Sequence, residues 1–304
     1  MNESEDMVII GGGPAGLTAG LYAARSGLRT MLVEKALPGG QLTMIELVEN
    51  YPGFPEGIAG PELGRMMEEQ AAKYGLRSVN AEVQGIEIEE KDRIVKTSGG
   101  NYRAGTVVIA GGSQHHRLGV PGEAEFLGRG VSYCATCDGP LFRDEVAAVV
   151  GGGNVAITEA LHLSRWASKV VVIHRRRQLR ATRLLQDRAF ANPKIEFLWD
   201  TVVEEITGSD MMAALMLRDV KTGQGSRLDA SGVFVAVGLI PNTGYLEGLL
   251  ALAPGGFIPV NGQMETEASG IFAAGDIRFN SPRQVVTAVG DGATAALSAE
   301  RSLG

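Results

Sequence analysis

Short apolar runs that end in a glycine cluster recur along the chain, and two of them open the same pattern. Val8–Ile10 leads into Gly11-Gly12-Gly13-Pro14-Ala15-Gly16, then a stretch of helical periodicity over Leu17–Ser26, then a second apolar run, Thr30–Val33, that ends at Glu34. Val146–Val150 leads into Gly151-Gly152-Gly153-Asn154-Val155-Ala156, a helix through Leu163, and the run Lys169–Ile173. Unbroken apolar runs between turn signals read as strands buried on both faces, and their alternation with helices predicts parallel sheets. Two further runs, Thr106–Gly111 (TVVIAG) and Gly232–Gly238 (GVFVAVG), fall where each copy's sheet would close. Near the end, Gly270–Asp276 forms another apolar strand ending in Gly-Asp, and Arg283-Gln284 opens a helical stretch to about Leu303. The pattern predicts an α/β fold with two Rossmann-like dinucleotide-binding domains of three-layer ββα construction. The chain end returns to the first domain, so that domain (1–115 and 246–304) is split by the second (116–245).

Each glycine of a G-x-G-x-x-G/A fingerprint has a physical role. The first (Gly11, Gly151) permits the tight turn, and the second (Gly13, Gly153) lets a pyrophosphate approach the backbone. The third position (Gly16, Ala156) lets helix and strand pack closely. The helix that follows offers unpaired N–H groups to phosphate. One such match is weak; two in strand–turn–helix context are strong.

The copies differ where nucleotide chemistry should differ. A carboxylate at the end of the second strand, Glu34, accepts hydrogen bonds from ribose hydroxyls and would repel a 2′-phosphate. The other copy has His174-Arg175-Arg176-Arg177 and then Arg180, and arginine forks suit a 2′-phosphate. The first site therefore reads as FAD and the second as NADPH. The bland reading of the arginines is a solvated helix start, and Arg177 fits it best. At the chain end, Asp276 can hold ribitol hydroxyls, and the helix after Gln284 can stabilise negative charge on a reduced flavin. An amphipathic helix packed on the core is the alternative, and the two are compatible.

The chain has two cysteines, Cys134 and Cys137, in a C-x-x-C arrangement followed at once by Asp138. A pair so spaced can close a small disulfide ring at a helix start, where thiol pKa falls, and Asp138 can carry protons. Structural zinc needs four ligands, and His115, His116, His162 and His174 lack ligand spacing around the pair, so no metal is expected. His115 and His116 read as exposed loop residues and His162 as a helix-face residue. Trp166 and Trp199 read as packing or surface residues. Met66-Met67 and Met211-Met212 read as filler, and Asn50–Phe54 as a turn.

Composition narrows the rest. A chain of 304 residues suits two domains, and its 42 glycines cluster after apolar runs. A net charge of −7 argues against a nucleic-acid binder that works through bulk charge. The acidic, polar start (MNESED) is no signal peptide, and no apolar run reaches the roughly 20 residues that span a bilayer. The expectation is a cytoplasmic protein with no membrane partner, in which a cysteine pair is redox-active rather than a staple.

The segments GGGPAG, GGQLT, VENYPG, CATCDG, GGGNVA, HRRRQLR and GIFAAGD with RQ resemble the low-molecular-weight, bacterial-type thioredoxin reductases over nearly the whole chain. The resemblance implies hydride transfer from NADPH to FAD, then electrons to the Cys134–Cys137 disulfide, then to thioredoxin by thiol–disulfide exchange. It implies FAD at Gly11, Gly13, Pro14, Ala15, Gly16, Glu34, Lys35, Gly39, Gly40, Gln41, Leu42, Asn50, Val83, Gly111, Gly275, Asp276, Arg283, Gln284 and Val285. It implies NADPH at Gly151, Gly153, Asn154, Val155, Ala156, His174, Arg175, Arg176 and Arg180. In this family the second cysteine (Cys137) faces the flavin, the first (Cys134) attacks the substrate, Asp138 matches the acid, and homodimers are usual. Nicotinamide and disulfide compete for one flavin face, so rotation of the domains between half-reactions is expected. The chain departs from the family at Val155, where Ser or Thr is usual, at Ala110-Gly111-Gly112, where Thr-Gly-Ala is common, and by an extra residue in 114–117. Other readings remain: a reductase of a glutaredoxin-like or peroxidase-linked carrier, a ferredoxin or flavodoxin reductase that needs no cysteines, and a flavin redox sensor. Preference for NADPH over NADH is likewise an expectation.

Overall fold

The computed structural model describes residues 4–45 and 47–304; the first three residues of the acidic start lie outside them. In chain order the elements are β1 (Glu5–Ile10), α1 (Pro14–Arg25), β2 (Thr30–Glu34), α2 (Gly60–Lys73), β3 (Arg77–Asn80), β4 (Val83–Glu89), β5 (Asp92–Thr97), β6 (Gly100–Ile109), β7 (Ser113–His115), β8 (Val131–Ser132), α3 (Ala135–Asp138), β9 (Val146–Val150), α4 (Asn154–Leu163), β10 (Lys169–His174), α5 (Arg183–Phe190), β11 (Ile195–Trp199), β12 (Thr201–Gly208), β13 (Met212–Asp219), β14 (Gly225–Asp229), β15 (Gly232–Val235), β16 (Leu239–Pro241), β17 (Ile271–Ala273) and α6 (Val285–Leu303), with short 3-10 turns between some of them. The chain divides into two compact units, residues 1–114 with 240–304, and residues 115–239. The return to the first unit comes before residue 240 rather than after 245. Residues 241–246 are bound into that unit: the Asn242 N–H donates to Gly112 O at 3.0 Å, its side-chain amide donates to Gly111 O at 2.7 Å, and Leu246 is fully buried there.

In the first unit β3, β2, β1 and β6 run parallel, and β17 adds parallel to the second half of β6. The antiparallel β4–β5 hairpin pairs with the first half of β6. Side chains alternate across a strand, and the two faces of β1 show it. Met7 and Ile9 join Leu17, Ala295, Ala296 and Ala299 on the helix side, while Val8 and Ile10 join Ile86, Val95 and Ile258 on the other. Burial on both faces is why β1 reads as a continuous apolar run. α1 and α6 approach closely through small residues; a Cβ on Gly292 would lie 2.1 Å from Ala15 O. α1 begins at Pro14 rather than Leu17, because proline's fixed φ suits a first helical turn. α6 begins at Val285 rather than Arg283, because Arg283 takes a left-handed φ of 59° and Gln284 caps the helix through a box with Thr287.

The second unit repeats the plan. β11, β10, β9, β15 and β8 form an all-parallel sheet. Ala147, Val149, Val170 and Val172 face α4, whereas Ala148, Val150, Val171 and Ile173 face Val203, Ile206, Leu215 and Leu217 of a three-stranded antiparallel sheet, β12–β14. Helix, parallel sheet and antiparallel sheet are thus the three layers. Both tryptophans belong here. Trp166 lies under the Arg143 guanidinium, and Trp199 stacks on Phe197 with ring centroids 5.0 Å apart.

Candidate functional site

The two fingerprints form the same backbone device. In the first unit the Gly11 N–H donates to Val33 O at 2.9 Å, and the Gly39 N–H donates to Gly12 O at 2.8 Å. In the second the Gly151 N–H donates to Ile173 O at 3.1 Å, and the Arg180 N–H donates to Gly152 O at 2.7 Å. Each loop is therefore held from the strand beside it and from the segment beyond that strand. The first glycine is required in both: Gly11 has φ 104° and Gly151 φ 151°. The third position differs as the fingerprint allows. A Cβ on Gly16 would sit 1.8 Å from Gly11 O, while α4 carries a real Cβ at Ala156.

The middle glycines, Gly13 and Gly153, are the N-caps of α1 and α4, and neither helix has a side-chain cap. A Cβ built on either would meet nothing within 4 Å. Open space beside the uncapped N–H groups of a helix is what a pyrophosphate occupies, so both cradles fit a dinucleotide.

The residues at the strand ends settle beside these loops. Glu34 Oε2 accepts the Gly12 N–H at 2.7 Å, and its Oε1 accepts the Ala36 N–H at 2.9 Å. Lys35 pairs with Glu82 at the surface, which brings Lys35 and neighbouring Val83 to the same rim as Glu34. Gly39 and Gly40 both take positive φ, and a Cβ on Gly40 would lie 3.1 Å from Gly13 Cα. Gln41 donates to Ser113 O at 2.7 Å. Asn50 donates to Gln284 Oε1 at 3.1 Å, joining two expected flavin residues distant in sequence. Leu42 and Val285 pack together in a small core with Val48 and Leu63. They can offer backbone to a ligand, while their side chains serve packing.

Gly111 and Asp276 complete this unit's set. A Cβ on Gly111 would lie 3.6 Å from Ile277 Cδ1, so Gly111 sits against the Gly275–Ile277 turn. Burial pushes the Asp276 carboxyl above its usual range, opposed by a hydrogen bond from Ser281 at 3.1 Å and by Arg283 and Arg278. Arg283 itself lies over the Phe257 ring.

In the second unit His174 packs against the loop, where a Cβ on Gly152 would come 2.3 Å from its ring. Burial lowers the His174 pKa, and Arg180, Arg175 and Arg176 lower it further against a backbone contact to Gln178. Arg175, Arg176 and Arg180 are exposed. Arg177 is distinct: its Nε donates to Asp200 Oδ2 at 2.5 Å, and Lys221 joins at 2.9 Å. Lys221 foremost, with Arg177, holds the Asp200 carboxyl below its usual range. Arg177 is thus committed to a structural pair rather than merely solvated. Asn154 Oδ1 accepts the Thr182 N–H at 2.8 Å, while Val155 is exposed on the first turn of α4.

Cys134 and Cys137 form a disulfide with Cα atoms 5.3 Å apart. The expected helix here is a single turn, α3, capped by Cys134, whose Sγ accepts the Cys137 N–H at 3.2 Å. So short a helix has little macrodipole, and local N–H groups rather than an axis polarise the sulfur. Two groups with no sequence signal support the turn. Ser132 donates to Asp138 Oδ2 at 2.6 Å, and the Ala135 N–H donates to Glu159 of α4. His115 stacks on Tyr133, with ring centroids 4.6 Å apart, and is half-buried rather than an exposed loop residue; His116 is exposed. A third unforeseen group lies in the first unit. Asp291 takes two bonds from Arg278 and the Gly275 N–H, fastening the Asp276 turn to α6. No helix among the described residues is long and apolar enough to cross a membrane, and none of their His, Cys, Asp and Glu side chains cluster as a metal site would require.

Comparison with known proteins agrees with this arrangement. Residues 5–292 match the family model described as pyridine nucleotide-disulphide oxidoreductase. The chain is 46% identical to a thioredoxin reductase of Bacillus subtilis (strain 168), over 97% of this chain and 93% of that one. It is 45% identical to a thioredoxin reductase of Streptomyces coelicolor, over 99% and 94%. The crystal structure of thioredoxin reductase from Streptococcus pyogenes MGAS5005 superposes with a TM-score of 0.95 at 47% identity, covering 100% of this chain and 99% of that one. With two dinucleotide cradles, a disulfide in C-x-x-C spacing and matches of this length, the chain belongs to the pyridine nucleotide-disulphide oxidoreductase family.

Proposed function

We propose that the protein is an NADPH-dependent thioredoxin-disulfide reductase. The observation that carries this reading is the Cys134–Cys137 disulfide, held in the same unit as the arginine-flanked cradle. FAD, when bound, supplies a two-electron carrier between NADPH and that disulfide.

The chain's own residues have these roles. The cradle at Gly11–Gly16 and the carboxylate of Glu34 hold the adenosine and pyrophosphate of FAD, and Glu34 selects ribose hydroxyls over a phosphate. Asp276, half-buried and raised in pKa by desolvation, would offer hydrogen bonds to the ribitol chain. Asn50 and Gln284, already bonded to each other, would hold the isoalloxazine together with the N-terminus of α6. The remaining first-unit residues, from Lys35 and Gly39–Leu42 to Val83 and Gly111, would complete the FAD site. In the second unit Gly151–Ala156 cradle the pyrophosphate of NADPH, and Arg175, Arg176 and Arg180 fork onto its 2′-phosphate. Two electrons open the disulfide, and Asp138 protonates a sulfur. Cys134 then attacks the disulfide of thioredoxin, and Cys137 resolves the mixed disulfide. We infer, as the family resemblance implies, that the protein acts in the cytoplasm as a homodimer.

The test is NADPH oxidation by the purified yellow protein with thioredoxin as acceptor. Turnover should require both cysteines, and Cys134→Ser and Cys137→Ser should each abolish it. Undiminished reduction by either variant, or reduction of ferredoxin in place of thioredoxin, would refute the reading. Sedimentation at micromolar concentration tests the dimer.

A further inference from the structure

Ser132 ends β8, two residues before Cys134, and is only 4% exposed. Its oxygen accepts the Cys134 backbone N–H at 3.1 Å, and its O–H donates to Asp138 Oδ2 at 2.6 Å. A hydroxyl has one proton and two lone pairs, so a single atom ties the first cysteine's backbone to the carboxyl group of Asp138, four residues later. The Cys134 carbonyl oxygen stands at 3.5 Å from the same hydroxyl, too far to compete for its proton while the carboxylate is charged.

We propose that Ser132 is a positioning residue for the disulfide chemistry. It aims Asp138 at the sulfurs and stabilises the carboxylate that remains once the proton has gone. The proposal rests on the reading of Asp138 as the acid. Two electrons, delivered from NADPH, break the Sγ–Sγ bond and leave both sulfurs negative. The carboxyl proton of Asp138 passes to one of them, giving one thiol, one thiolate and an ionised Asp138. The Ser132 O–H meets that new charge. When Asp138 is protonated, its O–H donates to a Ser132 lone pair, and the hydroxyl proton turns to the Cys134 carbonyl. One hydroxyl therefore serves both protonation states without moving the backbone.

Other ionisable groups surround the turn. From α4, Glu159 takes the Ala135 N–H. His162 of the same helix, its pKa lowered by burial and by Arg165, lies within 3.5 Å of where a Gly139 Cβ would be. On the β8 side Tyr133 donates to Glu123 at 2.8 Å, and beyond α3 Arg143 lies over Trp166. All of them persist when Ser132 is replaced, so a displaced titration reports the serine.

The experiment uses the holoenzyme with NADPH and thioredoxin across a pH series, for wild type, Ser132→Ala, Ser132→Thr, Asp138→Asn and the Ser132→Ala/Asp138→Asn double variant. The titration that Asp138→Asn removes should move up by about one pH unit in Ser132→Ala, since a hydrogen bond to a charged group is lost. kcat should fall about tenfold with KM for thioredoxin within about twofold, Ser132→Thr should restore both, and the double variant should be no worse than Asp138→Asn. The pH dependence of iodoacetamide alkylation of the dithiothreitol-reduced cysteines should shift in the same order. If Ser132→Ala fails to fold, the near-isosteric pair Ser132→Thr and Ser132→Val carries the same decision. An unmoved titration in the hydroxyl-free variant overturns the role of Ser132. If Asp138→Asn also leaves every titration in place, it is the acid assignment that fails.

Discussion

Replacing Asp291 should loosen the first unit by a large and calculable amount. Its side chain is 8% exposed and that of its partner Arg278 is 15% exposed. Arg278 donates to Oδ2 at 2.5 Å and to Oδ1 at 3.1 Å, and the Gly275 N–H donates to Oδ2 at 3.1 Å. Asp291→Ala removes every acceptor at once and strands a guanidinium and an amide away from water. Breaking a buried pair from one side costs about 3–5 kcal/mol, a large share of the roughly 5–15 kcal/mol that holds a domain. With a urea dependence near 2 kcal/mol per molar, the midpoint of that unit should drop by about 2 M. Asp291→Asn keeps an acceptor for Gly275 and should lose about half as much. Urea titrations followed by far-UV circular dichroism report both units, while tryptophan emission reports only the second, where Trp166 and Trp199 lie. The circular dichroism transition should split and the emission transition should stay put. A change below about 1 kcal/mol in Asp291→Ala would refute the claim that this pair fastens the turn to α6.

Three further outcomes follow from the same geometry. Arg175→Ala and Arg176→Ala should each raise KM for NADPH about tenfold or more and barely alter KM for NADH, whereas Arg177→Ala should spare both because that guanidinium is engaged with Asp200; equal steady-state losses with the two nucleotides would contradict the phosphate role. His174 has a depressed pKa, so between that value and its ordinary 6.5 the unfolded chain binds a proton that the folded chain does not. Its contribution is present above pH 6.5 and is lost as pH falls through the folded value, so the emission-detected stability of the second unit should decline on acidification, and His174→Gln should flatten that slope. Gly16→Ala should cost about 1–3 kcal/mol, because the new Cβ would meet Gly11 O at 1.8 Å; thermal melting with and without added FAD would show the loss, and an unchanged melting temperature would exclude the close approach.

Much of this fold was legible because its central strands are buried on both faces. β1 and β9 read as unbroken apolar runs, and the glycine turns after them located both helices, α4 ending at Leu163 as expected and α1 starting three residues earlier than expected. The outer layers were harder. β12–β14 and the β4–β5 hairpin are half-exposed, and their mixed patterns, such as Thr201–Gly208 with buried Val203 and Ile206 among glutamates, give no strong period. The residues at the glycine loops, the strand ends and the cysteine turn were visible because their types and spacing are dictated by local chemistry. Ser132, Glu159 and the Arg278–Asp291 pair were not, because each acts across tertiary contacts that no local spacing encodes. The point where the chain rejoins the first unit has no local signal for the same reason: Asn242 follows a strand in sequence, but its partners Gly111 and Gly112 lie far earlier in the chain.

At the rim of each cradle, the side chain at the end of the second strand also props the loop. Glu34 accepts the Gly12 N–H, and the His174 ring fills the space a Gly152 Cβ would need. In the proposed reading, cofactor choice and scaffold integrity therefore coincide at Glu34 in the first cradle and sit one residue apart, at His174 and Arg175, in the second. An evolutionary path that trades one nucleotide for another has to change strand end and loop together, since either step alone passes through an intermediate with a weakened turn.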